Sequence, residues 1–95
     1  MKETFRDLFP LIDGYARERH NSFLAEFFYD ETKHHMFFLC FRPQQGDAER
    51  HRYACRYLQV EESELRIFQE ANAMSAGLAS EIDEALISLN DELKA

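Results

Sequence analysis

The sequence predicts an α+β fold. It reads as an N-terminal helix, a three-stranded antiparallel meander and a long or kinked C-terminal helix, all in one domain over residues 1–95. Three observations carry this expectation. Apolar residues recur at helical spacing at both ends of the chain. Two aromatic runs, holding Phe27 and Phe28 and then Phe37, Phe38 and Phe41, flank a polar tip. Tyrosines then alternate with arginines over residues 49–59.

The first helix is placed at residues 4–19. Thr4 and Asp7 have capping-box spacing, and Phe5, Leu8, Phe9, Ile12 and Ala16 fall on one stripe. Pro10 lies inside the stripe, so a kink or a late helix start is expected.

The sheet is placed within residues 22–59. Strands at 22–30 and 34–42 are joined by a polar tip without the Asn-Gly or Asp-Gly of the tightest hairpins, which calls for a loop of about three to five residues. Pro43, Gln44, Gln45, Gly46 and Asp47 form the clearest turn. Residues 49–59 fit either a strand or a helix. Tyr53, Cys55 and Tyr57 alternating with Arg52, Ala54 and Arg56 favour the strand.

Residues 63–94 are helical. Leu65, Phe68, Asn72, Ser75, Ala79, Ile82, Leu86, Leu89 and Leu93 step by three and four without a slip. One helix and two helices broken near Gly77 both fit, and the unbroken phase favours one. A single helix would be roughly 45–48 Å long, beyond the ~26 Å width of a compact body this size. Its far half would project, and Ile82, Leu86, Leu89 and Leu93 would need a second copy or a partner.

Successive strand residues face opposite sides. The cleaner apolar sets are Phe23, Ala25, Phe27 and Tyr29; Phe37, Leu39 and Phe41; and Tyr53, Cys55 and Tyr57. Assigning these to the core puts Leu24, Phe28, Met36 and Phe38 on the outer face beside Arg42, Arg52 and Arg56. An apolar centre rimmed by arginine has the composition of a protein interface. The expected partner-binding residues are therefore Phe28, Met36, Phe38, Arg42, Arg52 and Arg56. The competing arrangement has the C-terminal helix cover this face, its acids meeting the arginines.

Net charge is −7, unevenly placed. Residues 42–60 carry four arginines against two acids, while residues 61–95 carry nine acids against two bases. The start of the chain reads as no signal peptide, and the longest apolar run, Met36 to Phe41, is far short of a membrane span. A cytoplasmic protein with two reduced thiols is the expectation.

No Gly-rich phosphate loop and no Ser/His/Asp elbow is present. Cys40, His51 and Cys55, with His34 or His35, make a weak zinc pattern, since the chain lacks any Cys-x-x-Cys. On the faces assigned above, Cys40 and Cys55 point to opposite sides of the sheet, against a shared metal or a disulfide. No enzyme activity, cofactor or metal is expected.

The expected function is protein binding by a small acidic homodimer, as an adaptor, chaperone or inhibitor. Two alternatives stay open. Glu81, Asp83, Glu84, Asp91 and Glu92 would let the C-terminal helix mimic nucleic acid and block a DNA- or RNA-binding protein. Phe28, Phe38 and Arg52 would make a stacking platform for single-stranded RNA, against which the acidic pI of about 5.0 counts. In element order and acidity alone the chain resembles the small acidic chaperones of secretion systems, a resemblance that implies dimerisation and extended clients.

Overall fold

The computed structural model describes residues 5–42 and 52–94. Its elements run α1 (Leu8–His20), β1 (Phe23–Asp30), β2 (His35–Phe41), β3 (Tyr53–Gln59), α2 (Glu62–Ala71) and α3 (Ala76–Lys94). The strands form one antiparallel meander, β1-β2-β3, so the α+β class and the strand choice for residues 53–59 both hold. The expected turn at residues 43–47, with Arg50 and His51, lies outside the described residues, as does Thr4 of the expected capping box.

α1 starts late, at Leu8. Pro10 then falls in the first turn, where amides have no intrahelical acceptor and the missing N–H costs nothing. The first amides are served instead by a backbone turn, with Leu8 N–H donating to Phe5 O (3.0 Å) and Phe9 N–H to Arg6 O (3.1 Å). At the other end Asn21 turns left-handed (φ 51°), and Ser22 N–H returns to Ala16 O (3.2 Å).

The C-terminal segment is two helices, which corrects the single long helix. α2 ends at Asn72, which is left-handed at φ 55°. α3 starts from Ser75, whose Oγ accepts from Leu78 N–H (3.2 Å) and donates to Glu64 Oε2 (2.9 Å). The break is therefore at Asn72–Ser75, short of Gly77. No half of the helix projects, and α3 packs across β3 and touches α1. Ile82, Leu86, Leu89 and Leu93, expected to await a partner, are all buried within their own chain.

All three helices share one core with one face of the sheet. That face carries Leu24, Tyr29, Met36, Phe38, Cys40 and Ala54, buried with Leu8 and Ile12 of α1, Leu65 and Phe68 of α2, and Leu78, Ile82, Leu86 and Leu89 of α3. The extents are 41 × 29 × 19 Å. The thin dimension is that of one sheet under one layer of helices.

Two polar ties hold α3 to α1. Ser22, fully buried, donates from Oγ to Asn90 Oδ1 (2.6 Å), and Asn90 Nδ2 donates to His20 O (2.8 Å). Tyr15 Oη donates to Asp83 Oδ2 (2.8 Å), and His20 Nε2 lies 2.7 Å from Asp83 Oδ1. Buried polar groups cost free energy unless paired, so this closed set also fixes the angle at which the helices lie. Among the described residues no helix is long and apolar enough to cross a membrane.

Candidate protein-binding face

Among the described residues, no helix lies on the other face of the sheet. Registry sets its residues in rows across the three strands. Phe23, Phe41 and Tyr53 form one row, Glu26, Leu39 and Cys55 the next, and Phe28, Phe37 and Tyr57 a third. His35 lies beyond this row at the start of β2, its ring 6.4 Å from that of Tyr57.

The outer two rows are aromatic ladders. In the first, ring centroids stand 5.4 Å apart for Phe23 and Phe41 and 5.7 Å for Phe41 and Tyr53. In the second, both Phe28–Phe37 and Phe37–Tyr57 are 5.1 Å apart. The rings are tilted at 41–58°, within the range where ring edges meet ring faces favourably. The Arg17 guanidinium lies over the Phe23 ring, 4.1 Å from its centre, and closes the α1 side of the first row.

A bulge places Phe23 in this set. Between Leu24 and Glu26 the β1–β2 register slips, with Ala25 as the extra residue. A one-residue insertion reverses the side to which later residues point. Leu24 and Phe27 therefore share the core side, while Phe23 and Phe28 share the open side. Asp13 on α1 accepts the Leu24 amide at 2.9 Å, and this ties the bulge to the helix layer.

The faces expected from the sequence are thus reversed on β2 and β3. Met36 and Phe38, expected as partner contacts, are 0% and 1% exposed beneath the helices. Phe37, Leu39, Phe41, Tyr53, Cys55 and Tyr57, expected in the core, form the open face. Phe28 alone of the expected apolar contacts lies on that face, 43% exposed, with Tyr53 at 54% and Tyr57 at 63%.

The expected arginine rim belongs to the helix side. Arg56 Nη1 pairs with Glu92 Oε1 (3.0 Å), and its Nη2 donates to Ser88 Oγ (3.1 Å). Arg52 Nη1 donates to Leu93 O (3.4 Å). Arg42 follows β2 and is half-buried. The competing arrangement, in which the C-terminal helix meets the arginines with its acids, describes this side of the sheet.

The acidic stripe of α3 is not one continuous surface. Asp83 is held by Tyr15 and His20, and the His20 hydrogen bond, with that of Tyr15, keeps its carboxyl below the usual range despite partial burial. Glu92 is paired with Arg56. Glu81 and Glu84, one turn apart, and Asp91 two turns further on remain exposed.

Cys40 and Cys55 lie on opposite faces, with Cys40 buried and Cys55 exposed, both as free thiols. Burial, with Asp13 nearby, pushes the Cys40 thiol up to about 12. Among the described residues no three His, Cys, Asp or Glu side chains come together as a metal would need. His51 of the weak zinc pattern lies outside them. Comparison with protein-family models, with curated proteins and with solved structures gives no match.

Proposed function

We propose that the chain is a non-catalytic protein-binding module that acts as a homodimer, with the open aromatic face of the sheet as its contact surface. One observation carries the reading: two three-ring ladders stand on a sheet face that no described element covers. Phe28, Tyr53 and Tyr57 alone offer on the order of 300 Å² of ring surface. That already matches the largest apolar patch of an ordinary monomer, a patch that is often functional. The half-buried Phe23, Phe37, Leu39 and Phe41 extend it.

The face is suited to its own copy. Glu26 is the one carboxylate in the three central rows, so two such faces meet with little like-charge penalty although each chain carries −7 overall. Two apolar sheets pack about 10 Å apart as a sandwich. The area is smaller than the ~800 Å² per partner of a standard interface, so the dimer is expected to be reversible. The nucleic-acid mimic draws less support, because Asp83 and Glu92 of its five acids are already bound. The RNA platform loses Phe38 and Arg52 to the helix side.

Sedimentation over a concentration series tests this. The wild-type mass should rise towards two copies with concentration. The double variant Tyr53→Lys, Tyr57→Lys should stay at one copy with an unchanged circular dichroism spectrum. A wild-type chain that remains monomeric at high micromolar concentration overturns the dimer. Tight binding of a labelled oligonucleotide at low salt by the same face would replace it with the RNA reading.

A further inference from the structure

A second surface lies at the sheet's edge, beside the open face and sharing Tyr57 with it. We infer that the outer edge of β3, which no described strand pairs, together with the acidic side of α3, receives an extended peptide carrying lysine or arginine, which adds to the sheet as a fourth strand.

The backbone supplies the first argument. Val60 N–H donates to His34 O (2.9 Å), continuing the β2–β3 ladder. Amides two residues apart on a strand point the same way, so Leu58, Arg56 and Ala54 bond to β2. Tyr53, Cys55, Tyr57 and Gln59 then direct their N–H and C=O groups away from the sheet. The Cys55 carbonyl confirms the direction, since it accepts from the Arg56 guanidinium (2.7 Å) and no described strand lies opposite it. No hydrogen bond reaches the outward groups of Tyr57 or Gln59 among the described residues. The opposite edge differs: there Asp13 caps the Leu24 amide and α1 packs on β1. An exposed row of unpaired backbone groups is a template for another strand.

The groove supplies the second. Between this edge and α3 runs a cleft of about 440 Å³, lined by Tyr57 and Gln59 of the strand and by Glu81, Glu84 and Ser88 of the helix. Arg56, tied to Glu92 and Ser88, closes its Cys55 end. The open stretch is therefore the one beside Tyr57 and Gln59.

Charge selects the occupant. Glu81 and Glu84 are exposed one helical turn apart, and neither has an ion pair among the described residues. Alternate side chains of an added strand lie ~7 Å apart on one face, within reach of both carboxylates for a Lys-x-Lys or Arg-x-Arg spacing. A second copy of this chain fits less well. On the helix side its β3 presents Ala54, Arg56 and Leu58, and Arg56 is already committed.

The test uses a labelled short peptide of alternating lysine and valine with the whole chain at low salt. Saturable binding is expected, with new hydrogen-exchange protection of the Tyr57 and Gln59 amides. The exposed double reversal Glu81→Lys, Glu84→Lys should weaken binding at least ~10-fold. A peptide N-methylated on the residues facing β3 should weaken it similarly, and this arm leaves the protein unaltered. Absence of saturable binding overturns the inference, as does binding indifferent to N-methylation, which would reflect charge alone. Protection of Tyr57 and Gln59 that rises with protein concentration without peptide would assign the edge to a second copy and likewise overturn it. Tyr53→Lys, which removes an open-face ring away from this groove, should leave peptide binding in place, so the two surfaces can fail independently.

Discussion

The rings of Phe37 and Tyr57 meet across β2 and β3 with centroids 5.1 Å apart, and Phe28 stands at the same distance on the other side of Phe37. Phe37 is thus half-shielded by two neighbours on a face that no described helix covers. Phe38, next in the chain, is 1% exposed under the helices.

This difference is measurable. Phe38→Ala removes a fully buried ring and should cost about 3–5 kcal/mol. Phe37→Ala forfeits two ring contacts and part of a ring's burial, and should cost about 1–2 kcal/mol. Urea midpoints, taken at a dilution where the chain is monomeric, compare the two. Equal losses would contradict the assignment of faces.

The strands and the first helix were legible in the sequence, whereas the faces of β2 and β3 were read the wrong way round, for a physical reason. A strand announces its buried side by alternation, and β2 has none: Met36 to Phe41 are all apolar or thiol-bearing. Charge then misleads. Arg56 shares the core side with Phe38, yet its stem lies along that surface while its guanidinium reaches Glu92 and Ser88. The bulge at Ala25 reverses parity within β1 and leaves no mark in the sequence. The C-terminal stripe posed a different problem. Its phase runs on through Asn72 and Ser75, and those two polar residues are the stop of α2 and the start of α3. Their residue types carried the signal that the spacing hid.

Asn72 and Ser75 can be tested as punctuation. Asn tolerates the left-handed conformation better than other non-glycine residues, and a β-branched side chain does not. Asn72→Gly should leave the melting temperature within a degree or two or raise it, and Asn72→Val should lower stability by about 1–2 kcal/mol. Ser75→Ala removes the oxygen that accepts the Leu78 amide and should cost about 1 kcal/mol. Thermal melts followed by circular dichroism read all three. An Asn72→Val chain as stable as the wild type would argue for one continuous helix.

Asn90 holds α3 to the end of α1 from a position 8% exposed. Asn90→Ala leaves the Ser22 hydroxyl and the His20 carbonyl with only their long mutual contact (3.4 Å), and the loss should be about 1–3 kcal/mol. The double variant Ser22→Ala, Asn90→Ala should lose less than the sum of the two singles, because each single already breaks the shared bond. Additive losses in a denaturant cycle would show that the two side chains act separately.

The two cysteines should react at very different rates. Cys55 is exposed on the open face, and Cys40 is buried with its thiol pushed up to about 12. Thiolate is the reacting form, so a disulfide reagent at neutral pH should titrate one thiol per native chain quickly and the second on unfolding. Cys55→Ser should abolish the fast phase. The fast rate should fall as protein concentration rises if the open face closes on a second copy, and a rate independent of concentration would count against that dimer.

Asp83 makes folding sensitive to acid. Its carboxyl is held below the ordinary value by hydrogen bonds from His20 and Tyr15. A group depressed in the folded state stabilises it above the unfolded pKa near 4, and that contribution drains away as pH falls through the folded value. The window is therefore below about pH 4, and stability at neutral pH includes the whole of it. Asp83 is 36% exposed at its side chain, so screening holds the contribution to under about 1 kcal/mol. Asp83→Asn should lower stability at neutral pH by that modest amount and flatten the loss between about pH 4 and pH 2, while leaving the chain folded. Denaturant midpoints for the two proteins should converge as the pH falls. Midpoints that stay parallel down to pH 2 would mean that the carboxylate's charge does not hold α3 to α1.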